Sequence, residues 1–378
     1  MTEYQPDSLL STLRVEGLTG VGTADLQFDP NQRLTVWIGP NGVGKTKVLE
    51  AVFQFLLFSH RSMAQMYGQH LVLTAEGLFV YRSIGSKEQC LKLPPHDIPW
   101  LTWQQQHGVA LHELPIVFLG SQNRGYIAVT QSSGSTAILT LQQRRKRYLE
   151  SLFNGMKTGF SSLNMQGNLD AWFVERAQSA NPYQKQEDNR EIELKTLLKV
   201  LHEVDERIDA HFLEISGDAR ASIKIDHQIR ELSQLSSGFS SIIKLFQAII
   251  AGYGYFTNES QLQSVKGVVL IDEIESHLHV GWQSRILPLL LSLFPNTHFI
   301  VTSHSPLILA QLSQGSAFRL ERGDDGVVGC HPILHPDKAA LVDVLREAFD
   351  VDLNRLKFER MSPESQQSAK KRLLELME

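Results

Sequence analysis

Gly39-Pro40-Asn41-Gly42-Val43-Gly44-Lys45-Thr46 decides the fold. The run fits the spacing G-x-x-x-x-G-K-[ST], and its flanks agree with it. An apolar strand, Leu34-Thr35-Val36-Trp37-Ile38, leads in. A helix is predicted over Lys45 to Phe58, with Val48, Leu49, Val52, Phe53, Leu56 and Leu57 on one face. Glycines let backbone N–H groups wrap a phosphate, and the helix N-terminus adds a favourable dipole. In this reading Asn41, Gly42 and Gly44 shape the cradle, Lys45 reaches the β- and γ-phosphates of ATP, and Thr46 offers its hydroxyl to Mg²⁺. The bland alternative, a chance glycine turn, does not account for both a strand before the loop and a helix after it.

Downstream, Val268-Val269-Leu270-Ile271-Asp272-Glu273 is an apolar strand that ends in two carboxylates. Continuous apolar runs mark strands buried on both faces, and ligands sit at their C-terminal edge. Asp272 is placed to hold the Mg²⁺ shell and Glu273 to polarise an attacking water. Leu235-Ser236-Ser237-Gly238-Phe239 precedes a helical stretch over Ser240 to Ile250. Ser236, Ser237 and Gly238 read either as an ordinary N-cap or as an anion-binding cap. His304, in Thr302-Ser303-His304-Ser305-Pro306, follows a strand predicted over Thr297 to Thr302. A lone histidine is more often structural, but this one sits where it can reach a γ-phosphate.

Around these motifs the chain alternates strand and helix, which favours an α/β fold with parallel strands. Strands are predicted over Leu13 to Leu18, Ala24 to Phe28, Pro115 to Leu119 and Phe318 to Glu321, with helices over Gly281 to Leu293, Lys338 to Phe349 and Pro363 to Met377. The stretch from Ala137 to His211 is polar, charged and helical in pattern, with breaks at Gly155 to Gly167 and at Asn181-Pro182. The expected division is a lobe at 1–136 carrying the phosphate loop, a helical insertion at 137–211, a second lobe at 212–336 and C-terminal helices at 337–378.

Composition narrows the class. With 42% hydrophobic and 20% charged residues, the chain of 378 is globular and not disordered. A formal net charge of −5 means that any contact with nucleic acid needs a local basic patch. Cys90 and Cys330 make neither a disulfide framework nor a zinc pattern. The start, MTEYQPDSLL, lacks a basic region followed by an apolar one, and no apolar window is long enough to span a bilayer. The expectation is a cytoplasmic protein with no membrane contact.

The order phosphate loop, Ser-Ser-Gly, apolar-Asp-Glu, Ser-His resembles the ATP-binding-cassette (ABC) type of ATPase head found in SMC, RecF and OLD-family proteins. The run Leu270-Ile271-Asp272-Glu273-Ile274-Glu275-Ser276-His277-Leu278-His279, followed by Val301-Thr302-Ser303-His304-Ser305-Pro306, is most similar to the OLD-like branch. That branch includes ATPase subunits of phage-defence systems such as Septu and PARIS. The resemblance covers roughly the first 130 residues and the stretch from about Phe212 to Gln314. It implies a P-loop NTPase head with an N-terminal antiparallel β subdomain and a helical insertion. It also implies a composite site, in which Lys45, Thr46, Asp272, Glu273 and His304 of one subunit face Ser236, Ser237 and Gly238 of another. Gln122 is its candidate for a Mg²⁺-contacting glutamine, with Gln131 as competitor. Two positions depart from the pattern: Phe239 stands where transporter signatures carry glutamine, and Ile274 where many relatives have proline.

Only 74 residues follow His304, too few for the Toprim nuclease domain of OLD nucleases, and the acids among them are spaced like turns and helix faces. The expected role is therefore an ATPase that assembles with itself, as a homodimer or higher oligomer, and acts as sensor for a separate nuclease or toxin effector. The alternative is a RecF- or SMC-like repair ATPase that clamps DNA. Arg144-Arg145-Lys146-Arg147-Tyr148 bears on that choice. It reads either as a track for the phosphate backbone of DNA or RNA or as a solvated helix face.

Overall fold

The computed structural model describes residues 10–63, 72–73, 78–86, 90–93, 98–99, 111–127, 139–180, 183–185, 188–349, 351–352 and 355. Strands β1 (Thr12–Leu18) and β2 (Gly22–Gln27) form a hairpin, and β3 (Leu34–Ile38) runs through the phosphate loop into helix α1 (Lys45–Phe58). Short strands β4 (Val72–Leu73), β5 (Ser83–Gly85), β6 (Cys90–Lys92) and β7 (Ile98–Pro99) precede β8 (Ile116–Leu119). Helices α2 (Leu141–Thr158), α3 (Leu169–Gln178) and α4 (Glu191–Val204) come next. A small sheet of β9 (Glu214–Ile215), β10 (Ala221–Ile225) and β11 (Gln228–Glu231) leads into α5 (Ser237–Phe256). The chain closes with β12 (Gly267–Ile271), α6 (Val280–Gln283), α7 (Ile286–Leu293), β13 (Thr297–Thr302), α8 (Pro306–Ala310), β14 (Ser316–Arg322), β15 (Val328–Ile333) and α9 (Leu341–Phe349).

The main sheet has ten strands in the order β6-β5-β1-β2-β15-β14-β3-β13-β12-β8. From β14 to β8 every neighbouring pair is parallel, and the phosphate loop leaves the C-terminal edge of this block. This is the expected α/β P-loop NTPase head. The antiparallel N-terminal strands extend the same sheet, joined through the pairing of β15 with β2 at Val328 and Ala24.

Side chains on the parallel strands alternate between two cores, as the pleat demands. Trp37, Ile116, Phe118, Val268, Leu270 and Ile300 face the core under α1, while Val36, Val117, Leu119, Val269, Ile271 and Val301 face the core under α5. The helices at 141–204 serve both: Leu149 and Leu152 of α2 enter the first core, Leu197 and Leu201 of α4 the second. Among the described residues no helix is long and apolar enough to cross a membrane.

Two expected helices change and one strand was not expected. The helix expected over Gly281 to Leu293 is broken between Gln283 and Ile286, because Pro288 lacks an N–H and its ring crowds the carbonyl of residue 284. β15 went unread because Gly329 and Pro332 obscure its pattern. The helix expected from Lys338 starts at Leu341. The helix expected over Pro363 to Met377, the break at Asn181-Pro182, and Gln131 lie outside the described residues.

Candidate functional site

The phosphate loop is a backbone device. Gly42 and Gly44 hold φ of 80° and 109°, a region that favours glycine. Gly44 is the N-cap of α1, with no side-chain cap and no acid in the first turn, so the helix presents free N–H groups. Asn41 and Gly42 are exposed at the rim of the loop. Lys45 is 5% exposed and folds back across the loop, its Nζ donating to the carbonyls of Gly39 (2.8 Å) and Pro40 (3.0 Å). Burial pulls its amine down to about 8 against the pull of Glu273, Glu275 and Asp272.

Asp272 ends β12 beside this loop. Thr46 Oγ1 donates to its carboxylate at 2.9 and 3.1 Å, and Thr302 Oγ1 donates at 2.8 Å. Burial pushes Asp272 above the usual carboxylate range, opposed by hydrogen bonds from Thr302 and Thr46. A buried carboxylate ringed by hydroxyls is a hard-oxygen donor set that suits Mg²⁺. Glu273 takes the left-handed region, φ 44°, which a non-glycine residue enters at a cost. Its N–H donates to Thr302 Oγ1 at 2.8 Å, and its carboxylate accepts from Ser276 Oγ at 3.0 Å. His304 donates its backbone N–H to Glu275 Oε1 at 2.5 Å. Its ring is held below its ordinary value by burial and by the nearby Lys45 charge, against the pull of Glu275, Glu273 and Asp272.

The fold thus gathers Lys45, Thr46, Asp272, Glu273 and His304 into one site. Ser236, Ser237 and Gly238 lie elsewhere in the chain. Ser236 caps α5 by accepting from Phe239 N–H, and a side chain at Gly238 would meet the His277 carbonyl at 3.3 Å. Among the described residues no hydrogen bond joins them to the phosphate loop. Gln122 is exposed in the turn after β8, its N–H donating to the Ser161 carbonyl at 2.7 Å.

Four residues of the site were not legible. Thr302 positions both carboxylate residues, and Glu275 holds His304. Arg124 is fully buried: it donates to the carbonyls of Asp272 (2.8 Å), Glu273 (2.9 Å), Ile274 (3.5 Å) and Gly120 (2.7 Å), and burial pulls it down to about 10. Lys244 of α5 donates to the carbonyls of Asn123 (2.8 Å) and Met165 (3.0 Å). These two cations tie the Gln122 turn to the acidic strand end and to the helix that carries Ser236 to Gly238.

Lys244 yields a pH prediction. Burial pulls it from an ordinary 10.5 to about 8. The unfolded chain then holds this proton more tightly than the folded one, so folding releases a proton between about pH 8 and pH 10.5 and Lys244's contribution to stability rises with pH there. The rise amounts to up to about 3 kcal/mol. Urea midpoints of the parent should therefore gain on those of Lys244→Met across that window and keep a constant offset below it. An offset that stays flat throughout would refute the assignment.

The basic run is largely internal. Arg144 is buried and donates to the carbonyl of Leu139 (2.8 Å) and to Asn258 Oδ1 (2.5 Å). Arg145 donates to Ser62 Oγ (2.9 Å) and the Phe256 carbonyl (2.6 Å). Only Lys146 and Arg147 are exposed, so the four-charge track reduces to two.

The family described as "AAA domain, putative AbiEii toxin, Type IV TA system" matches residues 118–310. The chain is 24% identical over 304 residues to the Septu protein PtuA of Bacillus thuringiensis, covering 79% of this chain and 72% of that one. It is 26% identical over 290 residues to the Septu protein PtuA of Bacillus mycoides (strain KBAB4), covering 74% of this chain and 35% of that longer protein. Among solved structures, an SMC head bound to the C-winged helix domain of ScpA aligns over 87% of this chain and 99% of its own at 12% identity, with a TM-score of 0.47.

Proposed function

The chain belongs to the AAA-domain family described as a putative AbiEii toxin of type IV toxin–antitoxin systems, and we propose that it is a Mg²⁺-dependent ATPase of anti-phage defence that assembles around ATP and controls a separate effector. The ATPase and defence parts follow from the family and from the likeness to the two Septu proteins. The observation that carries the hydrolytic reading is the constellation of Thr46, Asp272, Thr302 and Glu273. Thr46 and Asp272 would hold Mg²⁺, with Gln122 as a further contact, and the metal would neutralise charge on the phosphates. Lys45 swings from the Gly39 and Pro40 carbonyls to the β- and γ-phosphates. Glu273, presented by its left-handed backbone, orients the attacking water. His304 faces the γ-phosphate as a hydrogen-bonding group.

Ser236, Ser237 and Gly238 complete the pocket of a neighbouring subunit in this reading, since among the described residues of one chain no hydrogen bond joins them to the phosphate loop. A DNA clamp is less well supported, because Arg144 and Arg145 are engaged inside the fold.

Mixing variants tests the shared site. Ser237→Arg crowds the helix N-terminus and Lys45→Ala removes the cation at the phosphates, so each alone should be inactive. A heterodimer holds one pocket with both lesions and one with neither, so mixing should restore up to about half the activity per heterodimer if the pockets turn over independently. A Ser237→Arg chain that hydrolyses ATP at the parental rate overturns the shared site and leaves Ser236 as a plain cap.

A further inference from the structure

A cavity of about 610 Å³ opens between α2, α3, α5 and the loop at 159–168. None of Lys45, Thr46, Asp272, Glu273 or His304 lines it. Its volume falls within the range of small-molecule sites, about 300–1,000 Å³.

Its walls carry surplus positive charge. Arg144, Arg147 and Arg176 line it against one acid, Glu175, which is half exposed and pairs with Arg176. Behind the wall, Arg176 and Arg190 both bind Glu193, and all three side chains are at most 5% exposed. Beside its hydrogen bonds to Leu139 and Asn258, Arg144 has one ion pair among the described residues, with Asp188 at 3.9 Å. Burial, with the like charge of Arg190, pulls Arg144 down to about 10, and its Nε has no partner among the described residues. Arg147 is exposed at the rim and makes no ion pair among the described residues. Buried surplus charge is costly unless something compensates it, and an anion in the cavity would.

The remaining wall suits a planar polar ring. Tyr148 and Tyr255, stacked at 4.4 Å, line it together with Trp172, which is 8% exposed and whose indole N–H has no partner among the described residues. Asn154 and Gln247 also line it, and a side-chain amide offers both donors and acceptors. Arginine for phosphate, aromatic surface for stacking and amides for ring edges together describe a nucleotide.

We propose that this cavity binds a small nucleotide, with its phosphate against Arg144 and Arg147 and its base among Tyr255, Trp172 and Gln247. The inference stands apart from the ATPase reading, because it uses none of the phosphate-loop residues.

The test is calorimetric. The full chain carrying Lys45→Ala, which blanks the phosphate loop, is titrated with each of the four 5′-ribonucleoside monophosphates and with inorganic phosphate. At least one nucleotide should bind at one site per chain, about tenfold or more tighter than phosphate. Arg147→Ala should weaken it by about tenfold, the loss of one charge-assisted contact. Arg147 is exposed and makes no ion pair among the described residues, so this second change should leave the thermal midpoint in place. Three outcomes each overturn the proposal: no nucleotide binds, phosphate binds as tightly as the nucleotides, or binding is indifferent to Arg147→Ala.

Discussion

Glu273→Gln should bind ATP and hydrolyse it roughly 10²–10⁴-fold more slowly than the parent, the loss usual for a positioned acid or base. The amide keeps the shape of the carboxylate and can still accept from Ser276, which donates to Glu273 at 3.0 Å. The backbone N–H bond to Thr302 does not involve the side chain and should hold the left-handed turn. Lys45, Thr46 and Asp272 are untouched, so nucleotide and metal should bind as before. What disappears is the negative charge that orients water. Single-turnover hydrolysis alongside calorimetric ATP binding separates the two effects. Parental hydrolysis in this variant would remove Glu273 from the mechanism, and loss of ATP binding would make it a binding residue instead.

Arg124→Met should destabilise the fold by about 3–5 kcal/mol, the cost of breaking a buried charge-assisted cluster. The methionine fills much of the space but removes the arginine donors from the carbonyls of Gly120, Asp272, Glu273 and Ile274, of which Glu273 keeps the Ser276 N–H. Arg124→Lys should recover only part of the loss, because an ammonium lacks the planar fork that spans those carbonyls. The shift of the urea midpoint measures both variants. A change below about 1 kcal/mol for Arg124→Met would mean that the site closes over the gap or admits water. Because three of the four carbonyls belong to Asp272, Glu273 and Ile274, ATP hydrolysis in the surviving folded fraction should also fall.

The parts of this molecule that could be read from sequence are those whose physics is local. The bounds of α1 match the expectation at both ends, because Gly44 starts the helix and the apolar face between Val48 and Leu57 sustains it. β12 was legible because a strand buried on both faces carries an unbroken apolar run, and β13 because Phe299, Ile300 and Val301 form a shorter one at its centre. Pro288 interrupts the apolar run from Ile286 to Phe294 in plain view, yet the helix expected over Gly281 to Leu293 ran through it. Arg124 was out of reach. Nothing local separates an arginine that will be fully buried from one on a surface loop when its partners are backbone carbonyls near position 272. The run at Arg144 to Arg147 misled for the same reason. Its first two members are anchored by Asn258, Phe256 and Ser62, none of them a neighbour in sequence.

The place of β3 in the sheet has a consequence for how the chain is made. Both of its neighbours come from far downstream: β13 begins at Thr297 and β14 ends at Arg322. During synthesis at about 5–20 residues per second, this fully buried strand waits on the order of ten seconds to a minute before either partner exists. The hairpin of β1 and β2 and the helix α1 can form early, but the strand between them keeps two open edges until then. Pairings of such sequence separation carry a large loop-closure entropy and form slowly. An apolar strand with unpaired edges is also a template for association between nascent chains. The phosphate loop is thus among the first motifs synthesised and among the last to be locked in place.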